Sequence, residues 1–237
     1  MATEAGTASP VPLDRRQRRR LETIEEVLDV AAALMREEGV AGLSLGEVAR
    51  RMGIRPPSLY VYVDSKNALY DALFERGARM IVEHLKAFQE TLDDNRPLEQ
   101  TLLDAANAFI RWAVEHREYT QLLFWRPVPG FAPSEQAYAP AIELVELSRQ
   151  RFADLQRRGL LRSDVPLDEI QRDWTVVTSG VVSQQLANGP DQPFESGTFT
   201  AAIPTMVAMF ARHYAPPVAL RAPNNKPQRR ARHADQR

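Results

Sequence analysis

Between Ser44 and Lys66 the chain carries four cations, Arg50, Arg51, Arg55 and Lys66, against two carboxylates, Glu47 and Asp64, with Tyr60 and Tyr62 interleaved. Residues of these types suit contact with a polyanion. Cations neutralise phosphate, an arginine fork matches the guanine edge bidentately, and a small apolar group such as Val61 can meet a thymine methyl. Arg55 is the best base reader of the set, and Arg50 and Arg51 read more simply as a solvated helix face.

The same stretch specifies the elements that must position those groups. Ser44 and Glu47 have the spacing of a capping box, and Leu43 and Val48 that of a hydrophobic staple. Val48, Ala49 and Met52 supply an apolar stripe, and Gly53 ends the helix because only glycine takes a left-handed position without a Cβ penalty. A second helix is predicted to start at Pro56-Pro57, where two donors of an orphaned helix start are absent. Two short helices around a glycine turn make a helix-turn-helix. Its second helix would present Arg55, Pro57, Ser58, Val61 and Tyr62 outward while Leu59 points in.

The 237 residues suffice for one large or two small domains with ample core, and 44% apolar with 26% charged residues is ordinary for a soluble globular chain. There is no cysteine, which excludes disulfides and thiolate chemistry. No apolar run reaches the ~20 residues of a membrane span, and no apolar segment follows positive charge near Met1, so a cytoplasmic protein is expected. The net charge of −1 is unevenly spread. Residues 81–220 hold 12 Lys and Arg against 18 Asp and Glu, whereas residues 221–237 hold 6 against 1. A basic motif beside an acidic remainder fits a protein that touches a polyanion with one small face.

Taken in order, the periodicity predicts an all-α chain of about nine helices. Residues 1–18 are expected to be a disordered arm whose arginines, in DRRQRRR, serve either as a solvated lead-in or as extra phosphate contacts. A helix over 19–38 precedes the helix-turn-helix, and Asp64-Ser65 caps a long helix over 66–92. Its first part packs on the N-terminal bundle and the rest leads away, so residues 19–78 and 79–214 form two domains divided inside a helix. Further helices are predicted over 97–115, 118–125, 141–158, 166–188 and 198–214, with Pro204 marking a first turn or a kink. The four prolines of RPVPGFAPSEQAYAP predict irregular chain. Residues 215–237 are read as a disordered basic tail.

The string SLGEVARRMGIRPPSLYVYVDSKNALYDAL resembles the TetR family of bacterial transcriptional regulators. The matching positions are Ala49, Gly53-Ile54, Leu59-Tyr60 and Ser65-Lys66, followed by Leu69. Two positions depart from the family pattern: Arg55 stands where a small polar cap is usual, and Val63 where phenylalanine is common. The resemblance implies double-stranded DNA with a palindromic operator as partner, and a homodimer. It also implies phosphate contacts for Tyr60 and Lys66, while Ser44 and the free amides of the first motif helix would form another phosphate site.

In that family the C-terminal part binds a small molecule and dimerises through its last two long helices, here about 166–188 and 198–214. Trp174, Val177, Val181 and Leu186 make one face of the first, and Ser179, Gly180 and Ser183 allow close helix approach. The sequence from Trp174 to Gly180 resembles the Trp-His-Gly helix of one TetR subgroup, with Ser179 in place of histidine. A ligand pocket between helices would draw on Phe109, Trp112, His116, Tyr119, Phe124, Trp125 and Trp174, with Gln121, Thr178 and Gln184 as polar anchors, and would suit an apolar or aromatic effector. Aromatic residues at helical spacing are more often plain core.

No enzyme is expected. His84, His116, His213 and His233 lack metal-ligand spacing, and no HExxH, P-loop or GxSxG pattern occurs, so no catalytic residue, metal or cofactor is assigned. The reading is a DNA-binding regulator, most simply a homodimeric repressor released by an effector. An interaction module built on the same motif and a ligand-independent DNA binder are the alternatives.

Overall fold

The structure, a computed structural model, describes residues 14–93 and 95–217; the expectations of disorder for residues 1–13 and beyond 217 lie outside them. Nine α-helices and no strand occur among the described residues. They are α1 (Arg15–Glu38), α2 (Leu45–Arg51), α3 (Pro56–Leu59), α4 (Lys66–Glu90), α5 (Leu98–Glu115), α6 (Arg117–Phe124), α7 (Glu135–Arg157), α8 (Leu167–Asn188) and α9 (Ile203–Tyr214). One apolar core runs through all of them, from Val27 to Tyr214.

The first helix is longer than its apolar stripe predicts. Asp14 accepts from the Gln17 amide at 2.7 Å while the Gln17 side chain accepts from the Asp14 amide at 3.0 Å, a complete capping box. Arg15 to Arg18 are therefore helical, which corrects the expectation of a disordered arm reaching to residue 18.

The long helix α4 starts at Ser65, whose hydroxyl accepts from the Ala68 amide at 3.1 Å. Its 25 residues span about 37 Å at 1.5 Å per residue. The first half buries Leu69, Tyr70 and Leu73 against the N-terminal bundle, where the Tyr70 hydroxyl donates to the Val40 carbonyl at 2.7 Å. Along most of its length α4 also packs on α7, from Asp71 and Phe74 to Lys86, and it touches α5.

Helix α7 shows the largest difference from the sequence reading. It begins at Glu135, six residues before the predicted start, and carries Pro140 inside. A proline there removes one helical hydrogen bond and crowds the preceding turn. Tertiary contacts hold that turn nevertheless. Ser134 caps the helix at the Ala137 amide (3.2 Å), and both its amide and its hydroxyl donate to the Asp71 carboxylate at 2.7 Å. Tyr138 stacks on Phe74 at 5.9 Å, and Pro140 itself is buried. At the other end of the chain Pro204 falls in the first turn of α9, which is therefore a true start.

The short α6 lies against α1 and α4, and it fits closely because of one glycine. A Cβ at Gly77 would stand 2.6 Å from Cδ1 of the buried Tyr119. Gly77→Ala should therefore push α6 off α4 and destabilise the protein by about 1–3 kcal/mol, the usual cost of overpacking. Chemical denaturation read by far-UV circular dichroism measures it.

Candidate nucleic-acid interface and ligand cavity

Helices α2 and α3 form a rigid pair around Gly53. The Gly53 amide donates to the Arg50 carbonyl at 3.1 Å and the Ile54 amide to the Ala49 carbonyl at 3.0 Å, with Gly53 at φ 67°. These are the two bonds of a Schellman ending. Leu43, Val48, Ala49, Leu59 and Val63 anchor the pair in the core.

The start of α2 differs from the expected capping box. Ser44 is the N-cap, yet its hydroxyl makes no capping bond, and Glu47 has turned to two arginines. Arg50 grips it with two bonds of 2.7 Å, and Arg51 adds one of 2.9 Å while also holding Glu37 of α1 at 2.7 and 3.0 Å. The arginines give Glu47 three charge-assisted bonds in place of the single one a capping box offers, which explains the exchange. Those arginines push the Glu47 carboxyl down to about 2. The network's contribution is complete above the ordinary carboxylate range and is lost as pH falls from about 4.5 towards 2. Arg51 is thus a strut between α1 and α2, not a solvated face residue.

The turn through α3 leaves Arg55, Pro57, Ser58, Tyr60, Val61 and Lys66 exposed. Tyr60 and Val61 are 52% and 62% exposed, unusual for large apolar groups in so tightly packed a segment. Tyr62 does not join them: it is half-buried, with the Arg20 guanidinium 5.8 Å over its ring. Arg20 also donates to the Val61 carbonyl at 2.8 Å, bracing the outward turn from α1. This bracing role escaped the sequence reading, which placed Arg20 in the first helix and gave the arginine run only as a solvated lead-in or as extra phosphate contacts. The Asp14-x-x-Gln17 cap was the available signal that the run is helical.

The second feature is a cavity of about 170 Å³ among α4, α5, α6, α7 and α8, with Leu85, Phe88, Leu102, Phe109, Phe124, Phe152, Trp174 and Thr178 in its wall. Four of the ten predicted pocket residues line it: Phe109, Phe124, Trp174 and Thr178. Trp112 and Tyr119 are instead core, and Trp125 is 39% exposed at the end of α6. His116 sits at the α5–α6 corner beside Trp112, ring centroids 4.9 Å apart, and burial pushes its imidazole below the ordinary value. Gln121 is half-buried away from the cavity.

Gln184 is exposed, one position out of register with the buried Gln185. Gln185 Nε2 donates to the Gly189 carbonyl at 2.6 Å, and its Oε1 accepts from the Phe199 and Thr200 amides at 3.0 and 3.2 Å. It joins α8 to the loop before α9. Periodicity alone could not separate these neighbours, because both glutamines flank the apolar stripe.

An anchored helix-turn-helix joined through one long helix to a larger helical domain with an internal cavity defines the class of helix-turn-helix regulators. Comparison with known proteins agrees. Residues 27–73 match the description "Bacterial regulatory proteins, tetR family", and residues 102–210 match "Tetracyclin repressor-like, C-terminal domain". The chain belongs to the TetR family.

The transcriptional regulator YobS of Bacillus subtilis is 31% identical over 99 residues, 41% of this chain and 49% of that protein. The regulator Rv1816 of Mycobacterium tuberculosis is 27% identical over 153 residues, 61% of this chain and 60% of that one. The chain thus spans about half to three fifths of the length of these curated relatives. A solved protein of unknown function from Rhodococcus sp. RHA1 shares the fold, with a TM-score of 0.69 at 21% identity over 81% of this chain and 95% of that one. The descriptions of these matches do not name the Trp-His-Gly subgroup.

Arg55 and Lys66 are both exposed cations, and their chemistry should separate them. Arg55→Ala should lose about 1–3 kcal/mol at one base position, whereas Lys66→Ala should weaken every DNA sequence alike and lower the salt dependence by about one counterion. Titrations on matched and scrambled duplexes at several salt concentrations distinguish the two. Equal loss on both duplexes for Arg55→Ala would assign it to phosphate.

Proposed function

We propose that the protein is a sequence-specific DNA-binding transcriptional regulator, working as a homodimer on a palindromic operator in the bacterial cytoplasm and released from it by a small-molecule effector. Repression is the simplest output. The observation that carries this reading is the outward turn of Arg55, Pro57, Ser58, Tyr60 and Val61, held rigid from below by Leu59 and from the side by Arg20. In this reading Arg55 meets a guanine edge, Val61 a thymine methyl, and Tyr60, Lys66 and Ser44 the backbone phosphates.

The outer faces of α8 and α9 support a dimer. Val176 and Met209 are 66% and 62% exposed. A Cβ added at Gly180, one turn from Val176, would meet nothing within 4 Å, so the protomer's own packing does not call for glycine there. A second helix pair laid on this face would use both the apolar groups and the absent side chain. In this reading two copies related by a two-fold axis would present their two Tyr60 turns to successive major-groove faces.

The cavity supports the effector. Its wall includes the second half of α4 and Phe124 at the end of α6, while Glu118 near the start of α6 is ion-paired with Arg36 of α1. Occupancy that shifts α6 or tilts α4 would alter the distance between the two recognition turns.

Selection of bound duplexes from random DNA should yield a palindrome with half-sites one helical turn or a multiple apart, bound about a thousandfold or more tighter than scrambled DNA. Failure to enrich any sequence would leave the helix-turn-helix as a protein-interaction surface. The paired change Val176→Arg and Met209→Arg should give a folded monomer in sedimentation and abolish operator binding at protein concentrations where the parent binds fully.

A further inference from the structure

Of the arginine run DRRQRRR only Arg20 has an assigned task, and the others form the exposed first turns of α1. Their arrangement works against the helix. Partial positive charge gathers at a helix N-terminus, so carboxylates favour the first turn and cations oppose it. The first turn of α1 holds Arg15 and Arg16 and no acidic residue. Between Asp14 at the cap and Glu22 the chain has no carboxylate at all. Arg15 with Arg19, and Arg16 with Arg20, are like charges four residues apart, a spacing that destabilises a helix again.

No other part of the protein relieves that repulsion. Among the described residues Arg15, Arg16, Arg18 and Arg19 make no ion pair, although Glu22 stands one turn from Arg18 and Arg19. Elsewhere the same side chain is drawn to carboxylates, as in Arg36, Arg51, Arg76 and Arg111. Cations crowded together at a cost to their own helix call for a polyanion, and Arg20 says where it lies. The Arg20 guanidinium donates to the Val61 carbonyl at 2.8 Å and stands 5.8 Å over the Tyr62 ring, so the start of α1 abuts the recognition turn. Arg16 is exposed on the same helix face, about 6 Å further along the axis. Arg18, two residues from Arg20, points about 160° away from it around the helix.

We propose that the start of α1 is a second DNA-contacting element, in which Arg16 binds a backbone phosphate beside the groove that receives the recognition turn. The inference deepens the DNA-binding reading and rests on it. Phosphate oxygens give the guanidinium charge-assisted bonds and set a negative charge against the helix start, so the repulsion present in the free protein is offset in the complex. Such a contact carries no sequence information, adds to affinity for every duplex and weakens with salt. It also gives the arginine run a helical, fixed place beside Tyr60 and Val61, in contrast to a loose arm.

The test titrates the full chain with a short mixed-sequence duplex at several salt concentrations. Arg16→Gln should weaken binding and lower the slope of log K against log salt by about 0.9, the loss of one phosphate contact. Arg16→Lys keeps the charge and should keep the parent slope. Arg18→Gln removes an equal charge from the far face and should leave the slope unchanged. Melting curves read the other half of the inference. Arg16→Gln should melt at or above the parent temperature, because glutamine matches arginine in helix propensity and lifts the first-turn repulsion. An unchanged slope in Arg16→Gln, an equal loss in Arg16→Lys or in Arg18→Gln, or a lower melting temperature for Arg16→Gln would each overturn the proposal. A parent that binds no duplex would overturn it together with the DNA-binding reading. An Arg16 effect in a protein that enriches no operator would uphold the phosphate contact and remove only the sequence specificity of the recognition turn.

Discussion

The structure hinges on how α6 is held between α1 and α4. The Glu118 side chain has no exposed surface, and a carboxylate so placed is tolerated only with a cation and good hydrogen bonds beside it. Arg36 supplies both, reaching from α1 with its Nε 3.2 Å from Oε2 and its terminal nitrogen on the other oxygen. One residue further on, Tyr119 fills the space left by Gly77. A buried charge and a missing Cβ thus fasten one short helix to both α1 and α4. Because Phe124 at its far end lines the cavity, the DNA-facing unit and the cavity wall share one rigid part.

The recognition unit shows how little helix is needed when the surroundings constrain it. Helix α3 has only four residues and its backbone alone would not persist. It holds its shape through the Schellman bonds at Gly53, the burial of Leu59 and Val63, and the Arg20 bond to the Val61 carbonyl. The exposed apolar side chains between those anchors cannot relax inward. Apolar area kept in water by a stiff backbone is the physical mark of a surface made for contact.

The C-terminal domain follows a different logic. There the aromatic residues divide between core and cavity: Trp112 and Tyr119 fill space completely, whereas Phe109, Phe124 and Trp174 border space left open. Hydroxyls and amides that seem available in the sequence are mostly bound to backbone, as in Thr178 and Gln185. Gln171 stands out because its oxygen is not.

The all-α fold, the helix-turn-helix and most helix starts were legible from local rules, since caps, glycine endings and apolar periodicity act within a few residues. Asp14, Ser65 and Gly53 are such cases, and Pro204 in the first turn of α9 is another. Which pocket candidates border a void was not legible, because core and cavity residues share one helical period and differ only in what stands opposite. The same holds for Glu47, which left its cap for arginines on its own helix, and for Gln184 against Gln185. Helix α7 is the plainest instance. Local chemistry forbids a helix through Pro140, and contacts from Asp71 and Phe74, more than sixty residues away, permit it. The sequence by itself determined the elements and the motif, because those depend on near neighbours. Tertiary structure alone decided the cavity, the braces and the start of α7, because those depend on residues that only folding brings together.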